Sequence, residues 1–289
     1  MANTLVYNEE WATKLQERLK RPTNWREVCD VRFTDSRVLN VPYMSTTPAT
    51  VALTRGTAVA FDDFALTNEA LTISTGRQHN IFIDWADVAQ ADFNLQMDIA
   101  DRQGQLINER IEVDMLASHA SWTDLGDTGG GAVGLAAGQL TVSANNVDDI
   151  IRGIKRELRV ANGWSLAKQK GIFVIWRPAD FELLEAYVQQ NGFTVADAAL
   201  KDGTLEGFRY MGVDHYVSND HAANHLFAGV KKMFILGICR STWGKVHKIE
   251  NPPGSSGGIL SGVGMHTRSD SAFLSTNQAD ALLYDINVV

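Results

Sequence analysis

Cysteine is scarce in this chain. Its 289 residues hold two, Cys29 and Cys239, far apart in sequence, which argues against a disulfide framework and against a thiolate metal site. No apolar run is long enough to cross a bilayer as a helix, so no membrane partner is expected. The first residues lack the charged-then-apolar order of a secretory signal, which predicts a protein made and kept in the cytoplasm. Basic charge is in deficit: 26 lysines and arginines face 34 acidic residues, for a formal net charge of −8. That balance argues against a protein built to grip phosphate backbones. Lysine is missing altogether between Lys20 and Lys155, and proline is missing from Phe82 to His119.

What that proline-free stretch does contain is a stripe. Ala89, Phe93, Met97, Ala100, Gly104, Ile107, Ile111 and Met115 recur at spacings of three and four, which predicts one apolar face on a helix. Asp84 or Asp87 is placed to cap its start. From Trp85 to His119 such a helix would run for about 50 Å, a structural spine. Acidic residues and glutamines fill the opposite face, so the spine is expected to lie on a sheet with that face in solvent.

Ahead of the spine, Val51, Leu53, Arg55, Thr57, Val59 and Phe61 alternate with small or polar residues, a period-two strand pattern. Leu71, Ile73, Thr75 and Arg77 resume the alternation after Thr67-Asn68-Glu69. Two such runs predict a long hairpin. A two-stranded ribbon is marginal alone, so this one needs a surface to lie on, and a neighbouring subunit can supply it.

With 45% hydrophobic residues, the chain can bury a large core in one extended or two compact domains. Residues 1–44 read as an arm, with Tyr7, Trp11, Leu15 and Leu19 on one side of a short helix ended by Pro22. That stripe is too thin to found its own core, so the helix docks on its own domain or on a neighbour. Residues 121–146 read as a polar, glycine-rich loop. Val147 to Ala161 predicts an amphipathic helix on Ile150, Ile151, Ile154 and Leu158, residues 171–176 (GIFVIW) a fully buried strand, and Pro178 the start of a helix ending at Asn191-Gly192. Strands are expected at 208–218, 226–238 and 245–249, with a loop at 251–258 and strand character again near Phe273–Leu274 and 281–288. No internal repeat is visible, and the class is α+β.

No motif assembles a catalytic set. Gly129, Gly131 and Gly134 satisfy G-x-G-x-x-G without the strand and helix a dinucleotide site needs. Gly254, Ser256 and Gly258 satisfy G-x-S-x-G, but Pro252-Pro253 spoils the strand of a nucleophile elbow. His221 and His225, with Asp214, His215 and Asp220 nearby, have the spacing of a metal pair on a helix, yet Ala222 stands where a hydrolytic zinc site wants glutamate. They read as surface histidines, and Lys231-Lys232 as a solvated strand edge. No catalytic, cofactor or metal residue is assigned, and no enzyme activity is expected.

The order of arm, long hairpin, Ile83-Asp84 leading into the spine, helix, apolar strand ending Arg177-Pro178, helix and strands resembles the major capsid proteins of tailed bacteriophages. Residues 207–220 (GFRYMGVDHYVSND) resemble a segment of the family's axial domain. The resemblance covers about Val38 to Val289. It implies the Hong Kong ninety-seven capsid fold, with an N-arm at 1–44, an E-loop hairpin at 45–84 and a spine-helix peripheral domain at 85–145. An axial domain at 146–250 and return strands at 251–289 complete it. It implies a shell subunit that forms hexamers and pentamers of an icosahedral virion capsid, assembled in the host cytoplasm, around double-stranded DNA contacted non-specifically. The acidic balance suits a surface that faces packaged DNA without sticking. Encapsulin nanocompartment shells share the fold and are the alternative; an enzyme of unknown type is a third reading.

On this reading Trp11, Leu15, Val51, Leu53, Val59 and Phe61 are candidate apolar contacts between subunits, and Arg55, Asp62, Asp63 and Arg77 candidate charged ones. Some family members lock their shells through an E-loop lysine; here residues 45–84 contain none, and arginine stays protonated and cannot attack an amide. A noncovalent shell is expected. No long charged coiled-coil pattern precedes the hairpin, so any scaffold protein is expected to be separate, with the full 31.8 kDa chain in mature particles. Decoration or cement proteins and a portal are further implied partners.

Overall fold

The computed structural model describes residues 23–44, 55, 66–84, 95–125, 142–144, 146–190, 209–221, 224–250, 262–275 and 282–288. In chain order these begin with α1 (Trp25–Val28), β1 (Asp30–Thr34), β2 (Val38–Met44), β3 (Leu66–Thr72), β4 (Thr75–Asp84) and α2 (Leu95–Leu116). Then come β5 (Thr123–Asp124), α3 (Val147–Val160), α4 (Trp164–Lys170), β6 (Ile172–Trp176), α5 (Pro178–Gln190), β7 (Arg209–Tyr210) and β8 (Val213–Val217). The last strands are β9 (His225–Val230), β10 (Phe234–Cys239), β11 (Val246–Glu250), β12 (Gly262–Ser275) and β13 (Leu283–Asn287).

β12 organises the first sheet. One edge pairs antiparallel with β4 over ten positions, from Gly262↔Asp84 to Ser271↔Thr75. The other edge holds β11 at its start and β10 at its end, and β1 adds parallel to β10. α2 lies over the β4–β12 ribbon: Gln103 donates to the Met265 and His79 carbonyls, and Ile99 and Ala100 pack on Ile81, Ile83, Val263 and Met265. The α2 stripe behaves as its spacing predicts at Ile107, Ile111 and Met115, all buried. Met115 is followed at Ala117–Ser121 by a 3₁₀ turn, so the regular helix stops before His119. The opposite face is not wholly solvated, since Gln103 and Glu112 are fully buried. Residues 85–94, expected to be its first turns, lie outside the described residues.

The second sheet runs β5-β13-β9-β6-β8-β7. Every residue of β6 is buried; because side chains alternate across a strand, both of its faces are covered. The α3 residues Ile150, Ile151, Ile154 and Leu158, all fully buried, join Leu184 and Val188 of α5 in the same core. Two expected strands divide. Of the stretch expected as one strand at 208–218, residues 209–217 form a β7–β8 hairpin, because Met211 and Gly212 both take positive φ (52° and 74°), the turn that matches strand twist. Residues 226–238 break after Val230: Lys232 has φ 62°, and the chain leaves the second sheet as β9 and joins the first as β10.

The hairpin also differs from expectation. β3 pairs with β2, Leu71 facing Leu39 and Leu66 facing Met44. The run Leu71–Arg77 is split, with Thr75 onward entering the first sheet as β4. Apart from Arg55, residues 45–65 lie outside the described residues, as do 1–22, 126–141 with the G-x-G-x-x-G motif, and 251–261 with G-x-S-x-G. Residues 23–44, expected within an arm, are instead built into the domain. Trp25, Val28 and Cys29 are buried in the main core. A four-residue helix and a five-residue strand are too short to leave a clear period in the sequence. Cys29 and Cys239 are both free.

Candidate assembly surface and a histidine–aspartate cluster

Among the described residues the β2–β3 ribbon pairs only with itself, and one of its faces is docked on the first sheet. Val41 and Leu71 bury against Ile235, with Leu39, Ala272 and Leu274 beside them. Gly237 makes the seat: a Cβ there would stand 2.7 Å from Leu71 Cδ2. Among the described residues nothing covers the ribbon's other side, where Leu66 is 65% and Val38 42% exposed. On β4, one face is turned to α2, while Phe82 on the other is 40% exposed. These are separate exposed apolar side chains: along β4 the exposed positions before Phe82 are Gly76, Gln78 and Asn80.

Among the sequence-predicted contact residues, only Arg55 and Arg77 fall in the described part. Arg55 is exposed in a turn. Arg77 is not a free charge on the hairpin: its Nε and Nη2 grip the Asp114 carboxylate at 3.0 and 2.8 Å, and Arg110 adds a second contact to the same carboxylate. This fork ties β4 to the spine within the chain. Trp11, Leu15, Val51, Leu53, Val59, Phe61, Asp62 and Asp63 lie outside the described residues.

Elsewhere, charges expected in solvent are engaged. Glu112 caps the four-residue α1, accepting from the amides of Asn24 (3.0 Å) and Trp25 (2.9 Å). Burial pushes its carboxyl up to about 7, against the pull of those hydrogen bonds. At the other end of α1, Lys232 Nζ donates to the carbonyls of Arg26 (2.5 Å) and Cys29 (2.8 Å). An accepting carboxyl at the N-terminus and a donating ammonium at the C-terminus satisfy backbone groups that a helix leaves open at its ends. Lys231, expected as a solvated edge, is part-buried and binds Asp214 and the Tyr216 hydroxyl, whereas Lys232 is exposed as expected while its ammonium still bonds the α1 carbonyls. His215 is a core histidine, accepting from Trp176 Nε1 at 2.9 Å; burial pushes it down to about 4.

His221 and His225 do not form a helical pair. His225 opens β9 and faces Asp285 of β13, its Nδ1 being 3.0 and 2.9 Å from the two carboxylate oxygens. His119, from the turn after α2, brings its Nδ1 to 3.2 Å from the same carboxylate. The two imidazoles lie 4.2 Å apart, centroid to centroid. His221 instead stacks on Phe227 at 4.9 Å, and burial pushes it down to about 3. Sequence spacing flagged His225 but gave no sign of His119 or Asp285, because the three come from segments more than a hundred and fifty positions apart overall.

No family model matches the chain, and no curated protein matches it. Solved structures do. The chain is similar to a structure from Mycobacterium phage Che8, with TM-score 0.71 and 14% identity over 99% of this chain and 98% of that one. The capsid structure of the cyanophage P-SCSP1u gives 0.67 and 12%, over 98% and 93%. A virus-like particle from Pyrococcus furiosus gives 0.54 and 11%, over 92% of each. The chain has the Hong Kong ninety-seven capsid fold, in its α+β form.

Proposed function

We propose that this chain is the major capsid protein of a tailed bacteriophage, a structural subunit that assembles into hexamers and pentamers of an icosahedral shell around double-stranded DNA. The observation that carries the reading is the whole-length likeness to phage capsid structures, end to end in both chains. The β2–β3 ribbon supports it, because a two-stranded ribbon is marginal alone and its side away from Ile235 carries the exposed Leu66 and Val38. The likeness to the virus-like particle is weaker, at 0.54, so a phage shell is preferred to a nanocompartment.

The role of the fold is mechanical. The spine and the β4–β12 ribbon form one stiff unit, and the hairpin base projects from it. Subunit contacts made through such projections are individually weak, but closed symmetry makes them cooperative through avidity. A scaffold protein, decoration proteins, a portal and the packaged DNA are the partners this role calls for. The arm with Trp11 and Leu15, and the hairpin residues Val51, Leu53, Arg55, Val59, Phe61, Asp62 and Asp63, are the proposed contacts. Expression of the chain should give closed shells or capsomers by sedimentation and negative-stain imaging. A clean monomer at every concentration would overturn the reading. DNA protected from nuclease inside native particles distinguishes a virion from a cargo-filled compartment.

A further inference from the structure

We infer that His119, His225 and Asp285 form a binding site for one divalent transition-metal ion, zinc by its donor set, which clips the C-terminal strand to the end of the spine. This inference stands independently of the capsid reading. The three donor atoms all lie within 4.8 Å of one another, and the Asp285 carboxylate is 2.9 Å from one Nδ1 and 3.2 Å from the other. A tetrahedral ion with bonds of about 2.0–2.1 Å spaces its ligand atoms roughly 3.3 Å apart. Two of the three separations are already close to that spacing, and the third lies within 4.8 Å.

The chemistry of the set fits zinc better than a hard cation. Two imidazoles and one carboxylate suit zinc, nickel or copper, whereas magnesium and calcium take oxygen. On binding, each imidazole carries its proton on Nε2 and gives the Nδ1 lone pair to the ion. The fourth position belongs to water: the His119 and His225 side chains are 24% and 21% exposed while Asp285 is 7% exposed, so the site is floored by the carboxylate and open above. Phe227 packs against the His119 ring at 6.0 Å, and Trp122 packs on Phe227 in turn, giving the rings an aromatic backing that limits their rotation. The peptide amide of Leu125 donates to the Asp285 carbonyl, and Asn287 binds Asp124, so β13 and the segment after the spine are already held side by side. An ion bridging His119 and Asp285 crosses the same seam.

The test uses the untagged full-length chain, stripped with a chelator and titrated with zinc chloride by calorimetry, with cobalt as a spectroscopic probe. One zinc per chain should bind, cobalt should show the visible absorption of a tetrahedral site, and zinc should raise the melting temperature. His225→Ala and Asp285→Asn should each lower affinity by at least ~100-fold, beyond the loss seen for residues that only support a ligand. His266→Ala, on the first sheet, should bind as the parent does. Should Asp285→Asn fail to fold by circular dichroism, His119→Ala, on a partly exposed turn, decides in its place. Absence of binding up to millimolar zinc overturns the inference, as does unchanged affinity in His225→Ala and His119→Ala.

Discussion

A single buried carboxylate decides how the chain's first described segment is held. Glu112 takes the free amides of α1, and its carboxyl is raised by burial to about 7 from an ordinary value of 4.5. The native state therefore keeps a proton that the unfolded chain has already released. The group's contribution is fully present below about pH 4.5 and is lost as pH rises through about 7, a span on the order of 3 kcal/mol. Glu112→Gln, which keeps an accepting oxygen but cannot ionise, should flatten that part of the stability profile. Glu112→Ala should instead cost about 1–3 kcal/mol at any pH by stranding the buried amides. Thermal melts from pH 4 to 8 on the unassembled chain test both, and equal pH slopes in parent and Glu112→Gln would exclude the role. Nothing in the sequence marks this residue. On a helical wheel it falls between Asn108 and Glu109 on one turn and the buried Met115 and Leu116 on the next, and the amides it serves lie 87 and 88 positions earlier.

At the scale of elements, the ribbon has two parts with different dependencies. Its base, β2 and β3, is seated by Val41 and Leu71 on Ile235, each worth roughly 1.5–3 kcal/mol by burial. Deletion of residues 46–64 behind a short glycine linker leaves that seat intact. The variant should keep the parent's circular dichroism and melting temperature and fail to form shells. Unfolding of the variant would place the tip in its own domain's core. A cut reaching Leu66–Asn68 would remove β3 residues and confound the comparison. Local patterns found the elements whose periods are long and one-sided: the spine through Ile107, Ile111 and Met115, the α3 face, the all-apolar β6, and the Pro178 helix start. They missed what depends on partners. The alternation at Leu71–Arg77 continues through Ser74 although the chain changes sheets there, since a period says which face is apolar and not which strand lies alongside. The break at Lys231-Lys232 was masked by apolar residues on both sides. His119 and Asp285 were invisible because convergence in space leaves no spacing in sequence.

For the whole molecule, the absence of lysine from residues 45–84 predicts a shell held without covalent bonds between chains. Boiling particles in denaturant should yield monomers alone on a gel, and a ladder of resistant oligomers would refute this. Arg77 is engaged within the subunit by its fork to Asp114, which leaves Arg55, Asp62 and Asp63 as the charged contacts proposed for the hairpin. The pairing scheme of the sheets also orders events in time. β2 and β3 are the near neighbours; β1 waits for β10, β4 for β12 and β5 for β13. A chain emerging from the ribosome can thus close its spine helix early and pair β6 with β8 and β9, but β4, β10 and β11 of the first sheet find their common partner only once β12, Gly262–Ser275, exists. High contact order of this kind slows folding and leaves strand edges open meanwhile. The surface that seats the hairpin is itself among the last parts to form, since Ile235 and Leu274 must meet first. An unfinished or truncated subunit consequently lacks the seat of its own hairpin base, so in the proposed shell synthesis would act as a checkpoint, a chain without β12 having no fixed hairpin to offer a neighbour.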